Sequence, residues 1–231
     1  MKTTKQATVM IAAVLLLAPV LLPAQDANLQ DVLSRMDTSS ARFQSVQADI
    51  AVDNYTAVVQ DHETQKGIIA FRRAGGSMEM AMVLDKGQPG ERDILYKNGE
   101  LDFYQPSAKQ ETIVAAGANR AEYDSLLATG FGASGKDLAA AWDIAFQGME
   151  TIDGVPTAKL DLVSKQANVR NNFSHVTIWV DLTRDISLKV VMLQPDGDSR
   201  TATYSNIRYN AHPSASLFTL KVAGGTQIQR R

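Results

Sequence analysis

The chain of 231 residues contains no cysteine. That absence excludes a disulfide framework, a thiolate metal site and a lipid-modified cysteine at a processing site. Aromatic residues are scarce, 6% against 45% hydrophobic residues overall, so flexible aliphatic side chains carry the apolar content. An excess of one charge sign is also lacking. The 23 basic and 25 acidic residues give a net charge of -2 and are spread along the chain, which excludes the basic footprint of a nucleic-acid binder and a polybasic membrane patch. The one basic cluster, Arg230-Arg231, reads as a solvated tail. The uncharged apolar run Val9 to Leu22 is about fourteen residues, short of the twenty or so that span a bilayer.

Lys2 and Lys5 precede that run and Pro23-Ala24-Gln25 follow it, the pattern of a secretory signal peptide, residues 1–24, removed on export. The alternative is an uncleaved anchor. Residues 25–231, about 205 in number, suit a single domain that buries enough apolar surface to fold without staples.

Leu29, Val32, Leu33 and Met36 share one helical stripe and predict a helix over Asn28 to Asp37. The period then becomes two. Phe43–Tyr55, Gly67–Arg73, Ser77–Leu84, Asp93–Tyr96 and Glu100–Tyr104 read as strands, with turns at Gly75-Gly76 and a strong hairpin signal at Asn98-Gly99. A second helical patch covers Ala121 to Thr129, followed by the glycine-rich stretch Gly130 to Gly135. Strands resume at Trp142–Gln147, Val155–Val163, Ser174–Val180, Ser187–Leu193, Arg200–Tyr209 and Phe218–Val222. About ten strands and two helices predict a mainly β, α+β domain: one meandering antiparallel sheet, which at that width must curl around its apolar face. Alternation assigns that face: Met78, Met80, Met82 and Leu84; Trp142, Ile144 and Phe146; Ile186, Leu188, Val190 and Met192.

Chemistry-bearing motifs are few. Gly130 to Gly135 has the letters of a dinucleotide fingerprint but lacks the preceding strand that motif requires, and reads as a mobile loop. His62, His175 and His212 lie apart without metal-ligand spacing. No elbow frames a serine nucleophile, and most aspartates mark turns, such as Asp153-Gly154 and Asp196-Gly197-Asp198. No catalytic residue, metal or cofactor is assigned.

The stripe Met78, Met80, Met82 reads equally as core filling or as an adaptable ligand-binding surface. In Phe71-Arg72-Arg73, alternation puts Arg73 on the side of Ile69 and Phe71. There Arg73 is either a buried cation bonded to carbonyls or a strand-end side chain reaching water.

An ordered series of segments resembles the LolA family of periplasmic lipoprotein carriers along nearly the whole chain after residue 24. The series is an early helix with Phe43-Gln44-Ser45-Val46-Gln47-Ala48, then Gly67 to Phe71 with Arg72-Arg73, then Ile94 to Pro106, the strand led by Trp142, and the closing Phe218-Thr219-Leu220. The resemblance implies an unclosed β-barrel around an apolar cavity, with helices as a lid. It implies that Arg73 bonds to lid backbone in the ligand-free form, although Ala74 stands where the family usually has proline. Leu126, Leu127 and Phe131 become candidates for contact with acyl chains, beside Ile69, Phe71, Met78, Met80 and Met82.

The function expected is a monomeric periplasmic carrier that hides the acyl chains of lipoproteins or related amphiphiles. It would take them from an inner-membrane release complex and deliver them to an outer-membrane acceptor. The alternatives are a lipid-sensing regulatory module, for which the tail after Phe218 leaves no second domain, and an extracytoplasmic hydrolase.

Overall fold

The computed structural model describes residues 28–117, 123, 126, 127, 129, 131–181, 183, 184 and 186–231. The expected signal peptide lies outside the described residues. Asn28 caps the first helix by accepting from the Asp31 N–H at 3.0 Å, and α1 runs over Leu29–Arg42. It passes the expected end at Asp37 because the hydroxyls of its last turns find partners. Thr38 donates to the Ser34 carbonyl, Ser39 to that of Arg184 and Ser40 to that of Gly132. Tertiary bonds thus offset the weak helix propensity of serine and threonine.

The strands are β1 (Ser45–Thr56), β2 (Asp61–Ala74), β3 (Ser77–Leu84), β4 (Arg92–Lys97), β5 (Glu100–Gln105), β6 (Gln110–Ala115), β7 (Trp142–Ile152), β8 (Val155–Ser164), β9 (His175–Asp181), β10 (Ile186–Leu193), β11 (Ser199–Tyr209) and β12 (Gln227–Arg230). They form one sheet in the order β12-β6-β5-β4-β3-β2-β1-β11-β10-β9-β8-β7, which does not close on itself. Asn98-Gly99 and Asp153-Gly154 take the positive φ angles that tight hairpins demand. Two short helices, α2 (Gly135–Ala141) and α3 (Ala167–Asn172), complete the set of regular helices with defined ends among the described residues. The fold expected from the sequence, an unclosed, mainly β barrel with covering helices, is the fold observed.

The chain departs from expectation at its end. Phe218 to Val222 form no strand; Ala215–Phe218 is a 3-10 turn, and Phe218 is buried with Leu217 and Leu220 against Ala70, Ala81 and Leu95. The small Ala70 and Ala81 on the outer face of β2 and β3, beside Leu95 of β4, leave a seat for the Phe218 ring, so its apolar pattern serves packing instead of pairing. The sheet is completed by β12, which runs parallel to β6, so it is not wholly antiparallel and Arg230 is strand, not tail.

Register fixes the faces. Val46, Ala48, Ile50 and Val52 on β1 oppose Phe71, Ile69, Gly67 and Gln65 on β2, and Met82 and Met80 on β3 oppose Ile94 and Tyr96 on β4. This inner face holds two apolar clusters. One joins Phe43, Val46, Ile50, Phe71, Met80 and Tyr96. The other packs Val32 and Met36 of α1 and Leu138 of α2 onto Leu160, Leu162 and Ile178 of the far half of the sheet. Trp142, Ile144 and Phe146 join the second cluster as expected. On β10 the alternation breaks at a bulge between Ser187 and Lys189, and Ser187 bonds the Thr129 carbonyl.

Candidate ligand-binding site

Phe131 sits between the walls of the inner face. It is 1% exposed, with its ring 5.6 Å from that of Phe71 and 4.9 Å from that of Tyr204. Tyr204 touches both apolar clusters, and burial pushes its phenol well above its ordinary pKa. Ile69, Phe71 and Met80 are buried here, while Met78 and Met82 are partly buried against the same cluster. The methionine stripe therefore lines the interior beside Phe131.

The glycine-rich stretch, expected to be a mobile loop, is pinned where it is described. Gly130 lies outside the described residues. The Gly132 carbonyl accepts from Ser40 Oγ at 3.0 Å and from Arg73 Nη2 at 3.2 Å. Ser134 caps α2 by accepting from the Asp137 N–H, and the Lys136 N–H donates to the Asp37 carboxylate. Glycine is required at two points. Gly132 has φ +79, and a Cβ there would press on Phe43 and Met78; a Cβ on Gly135 would come 2.1 Å from the Leu33 carbonyl oxygen of α1.

Arg73 is the penultimate residue of β2 and is exposed to water. It is not a buried cation. It snorkels at the strand end, and its Nη2 also reaches Ser40 Oγ at 3.0 Å. Arg72, on the outer face, pairs with buried Glu79 at 2.6 Å and lies over the Phe218 ring at 4.0 Å.

In the second helical patch, Tyr123, Leu126 and Leu127 are helical; the rest of Ala121 to Thr129, Thr129 apart, lies outside the described residues. Leu127 packs on the cluster around Phe131, and Leu126 on the cluster around α1. Leu126 also borders an open cavity of about 440 Å³. Its apolar floor comes from Leu101, Phe103, Val114, Val169 and Phe173, and its rim from Asn168, Asn172, Gln194 and Arg200. A second cavity of about 380 Å³ shares Phe103 and Val114 with it and extends past Ile94 to Arg92 and Gln105. Both are within the size range of small-molecule sites.

Of the candidate contact residues singled out in the sequence, Leu126 alone lines the larger cavity. Ile69, Phe71, Met78, Met80, Met82, Leu127 and Phe131 pack together deeper inside, and Arg73 stands at their edge. Phe103 and Val114 were missed, although counting by two along β5 and β6 from Leu101 places Phe103 on the inner face, opposite Ile94. Arg200 follows by the same count from Tyr204 through Ala202. Val169 and Phe173 gave no signal, because α3 is a short, polar helix with no side-chain cap.

No protein-family model matches the chain, and no curated protein matches it. Solved structures do. A conserved uncharacterised protein from Thermus thermophilus superposes with a TM-score of 0.53 at 13% identity, covering 87% of this chain and 98% of that one. MucB superposes with a TM-score of 0.50 at 15% identity over 86% of this chain, which spans 63% of the MucB chain. A putative outer membrane lipoprotein-sorting protein domain from Vibrio parahaemolyticus gives a TM-score of 0.46 at 14% identity, covering 83% and 97% of the two chains. The superpositions on the Thermus protein and on MucB show that solved proteins share this fold.

Proposed function

We propose that the chain is an envelope carrier that shelters the acyl chains of lipoproteins or related amphiphiles on the inner face of its sheet and releases them without chemical turnover. The observation that carries this reading is the open cavity of about 440 Å³, whose floor is apolar and which adjoins the apolar cluster of the inner face through Leu101 and Tyr123. Each buried methylene is worth about 0.8 kcal/mol, so partial shelter of two or three chains offsets a large cost of exposure to water. Aliphatic contacts have no direction, which suits cargo that must be let go.

Phe131 occupies space that chains would need, and the bonds from Arg73 and Ser40 to Gly132 hold it there. In this reading the described conformation, with those bonds made, is the closed one. Cargo displaces Phe131 outward and breaks those bonds; their re-formation helps expel cargo. Transfer runs from an inner-membrane donor to an outer-membrane acceptor.

The test is mass spectrometry of organic extracts from protein purified out of its native envelope compartment. Wild type is expected to carry acylated species, and Arg73→Leu, with a weakened latch, to carry more. Acylated species absent from both proteins would overturn the carrier reading.

A further inference from the structure

Among the described residues, Arg200 is the one charged side chain that borders the larger cavity; its other neighbours there are apolar residues or the neutral side chains of Asn168, Asn172, Gln194 and Tyr123. Its Nε donates to Asn54 Oδ1 at 3.0 Å, across the β1–β11 register. A neutral amide fixes the guanidinium in direction but leaves its charge uncompensated.

Arg92 lies on the same face. It opposes Leu84 on β3, in step with Ile94 and Tyr96, and borders the second cavity that shares Phe103 and Val114 with the first. Arg200 is exposed to water at the cavity's edge, and partial desolvation, with the Arg92 charge nearby, lowers its tendency to hold its proton. Neither arginine forms an ion pair with a described residue. Of the carboxylates near Arg92 in sequence, Asp85 accepts from the Gln65 side chain and the Lys66 N–H, and Glu91 from the Gly87 N–H. Asp93, which also borders the second cavity, alternates onto the opposite face of β4 and makes no ion pair with Arg92. Two guanidinium groups that reach water at the edge of an oily trough present a positive rim to an anion, and guanidinium groups match phosphate and carboxylate oxygens best.

We infer that Arg200 and Arg92 form a headgroup site, and that the cavity takes amphiphiles bearing an anionic phosphodiester or carboxylate, whose chains lie on Phe103 and Val114. This rests on the carrier reading and names its class of ligand. Asn168, Asn172 and Gln194 supply neutral polar groups at the rim, which suits a headgroup bearing hydroxyls.

The test uses delipidated full-length protein and lipids with one palmitoyl chain: lysophosphatidylglycerol, lysophosphatidylcholine and palmitate, with inorganic phosphate as competitor. Wild type is expected to bind lysophosphatidylglycerol or palmitate about tenfold or more tighter than lysophosphatidylcholine. That preference should shrink as salt is raised. Arg92→Gln with Arg200→Gln should bind all three alike, with circular dichroism showing an intact sheet, while Arg200→Lys keeps part of the preference. Equal affinities in wild type, or a preference that survives the double substitution, would overturn the headgroup site and leave the carrier reading standing. Inorganic phosphate binding as tightly as the lipids would reassign the site to free phosphate and overturn the inference. Failure of all three lipids to bind would overturn both readings.

Discussion

The Arg73 guanidinium donates to the Gly132 carbonyl at 3.2 Å across a sequence separation of 59 residues. The same nitrogen meets Ser40 Oγ at 3.0 Å, so one side chain ties the end of β2 to the last turn of α1 and to the segment that carries Phe131. Freeing the loop therefore means breaking these polar bonds and unpacking Phe131, with no strand pair disturbed.

Replacing Arg73 by leucine should cost only about 1 kcal/mol, because the group is exposed and water competes for its bonds. The local effect should be larger than the global one. Hydrogen exchange at residues 131–134 is expected to speed up while exchange in β8 and β9 stays the same. Unchanged exchange at 131–134 would show that Arg73 does not hold the loop.

Phe131 contributes to stability and occupies the interior at once. Phe131→Ala should cost about 3 kcal/mol, the low end for a buried aromatic, since the segment around it can relax into part of the space. An apolar fluorophore should nevertheless bind more tightly than to wild type, because the space between Phe71 and Tyr204 is opened. Chemical denaturation gives the first quantity and fluorescence titration the second. Weaker fluorophore binding would mean that Phe131 forms part of the binding surface and does not fill it.

The fold was legible where side chains alternate. Met78, Met80 and Met82 declared the face that the register later placed inside, and Trp142, Ile144 and Phe146 did the same for β7. Alternation failed where pattern and role part. The apolar run at Phe218 looked like a strand because its residues do bury, but they bury onto the outer face of the sheet. β6 was passed over because Gln110, Glu111 and Thr112 are polar, and β12 because a parallel pairing with β6 leaves no local turn signal. The site was legible in kind and not in place. Phe103 was within reach of the local β4–β5 hairpin register, whereas Arg200 joins the site only when β11 is set against β1, a partner far away in sequence.

The outer face yields a separate test. Phe218 is 1% exposed, stacked under Arg72, whose guanidinium pairs with Glu79. Phe218→Ala should cost about 3 kcal/mol through lost burial. It should also admit water to Glu79 and speed proteolysis within residues 211–223, with no change in lipid binding, because none of this touches the inner face. A parallel loss of lipid binding would show the two faces to be coupled.

Asp93 and Asp102 lie mid-strand on that outer face, and each has an Oδ1 that is buried without a hydrogen-bond partner among the described residues. Burial is the first cause that raises both pKa values above 3.8; Glu91 adds to it for Asp93, and Glu111 with Glu100 for Asp102. A folded pKa above the unfolded one means that the native state holds the proton more tightly. The favourable contribution is complete below about pH 3.8 and is lost as pH rises through the folded values. At neutral pH the pair is a liability, opposite to the usual behaviour of a paired carboxylate. Asp102→Asn should therefore stabilise the protein at pH 7, by under about 1 kcal/mol since the group is only half-buried and water screens it. The advantage should vanish as pH falls toward 3.8, because wild type then carries a neutral group at the same place. Thermal melts of the two proteins between pH 3.5 and pH 7, roughly the range in which carboxylates titrate, measure this directly. An advantage that stays constant across that range would place its origin in packing and not in the charge of Asp102.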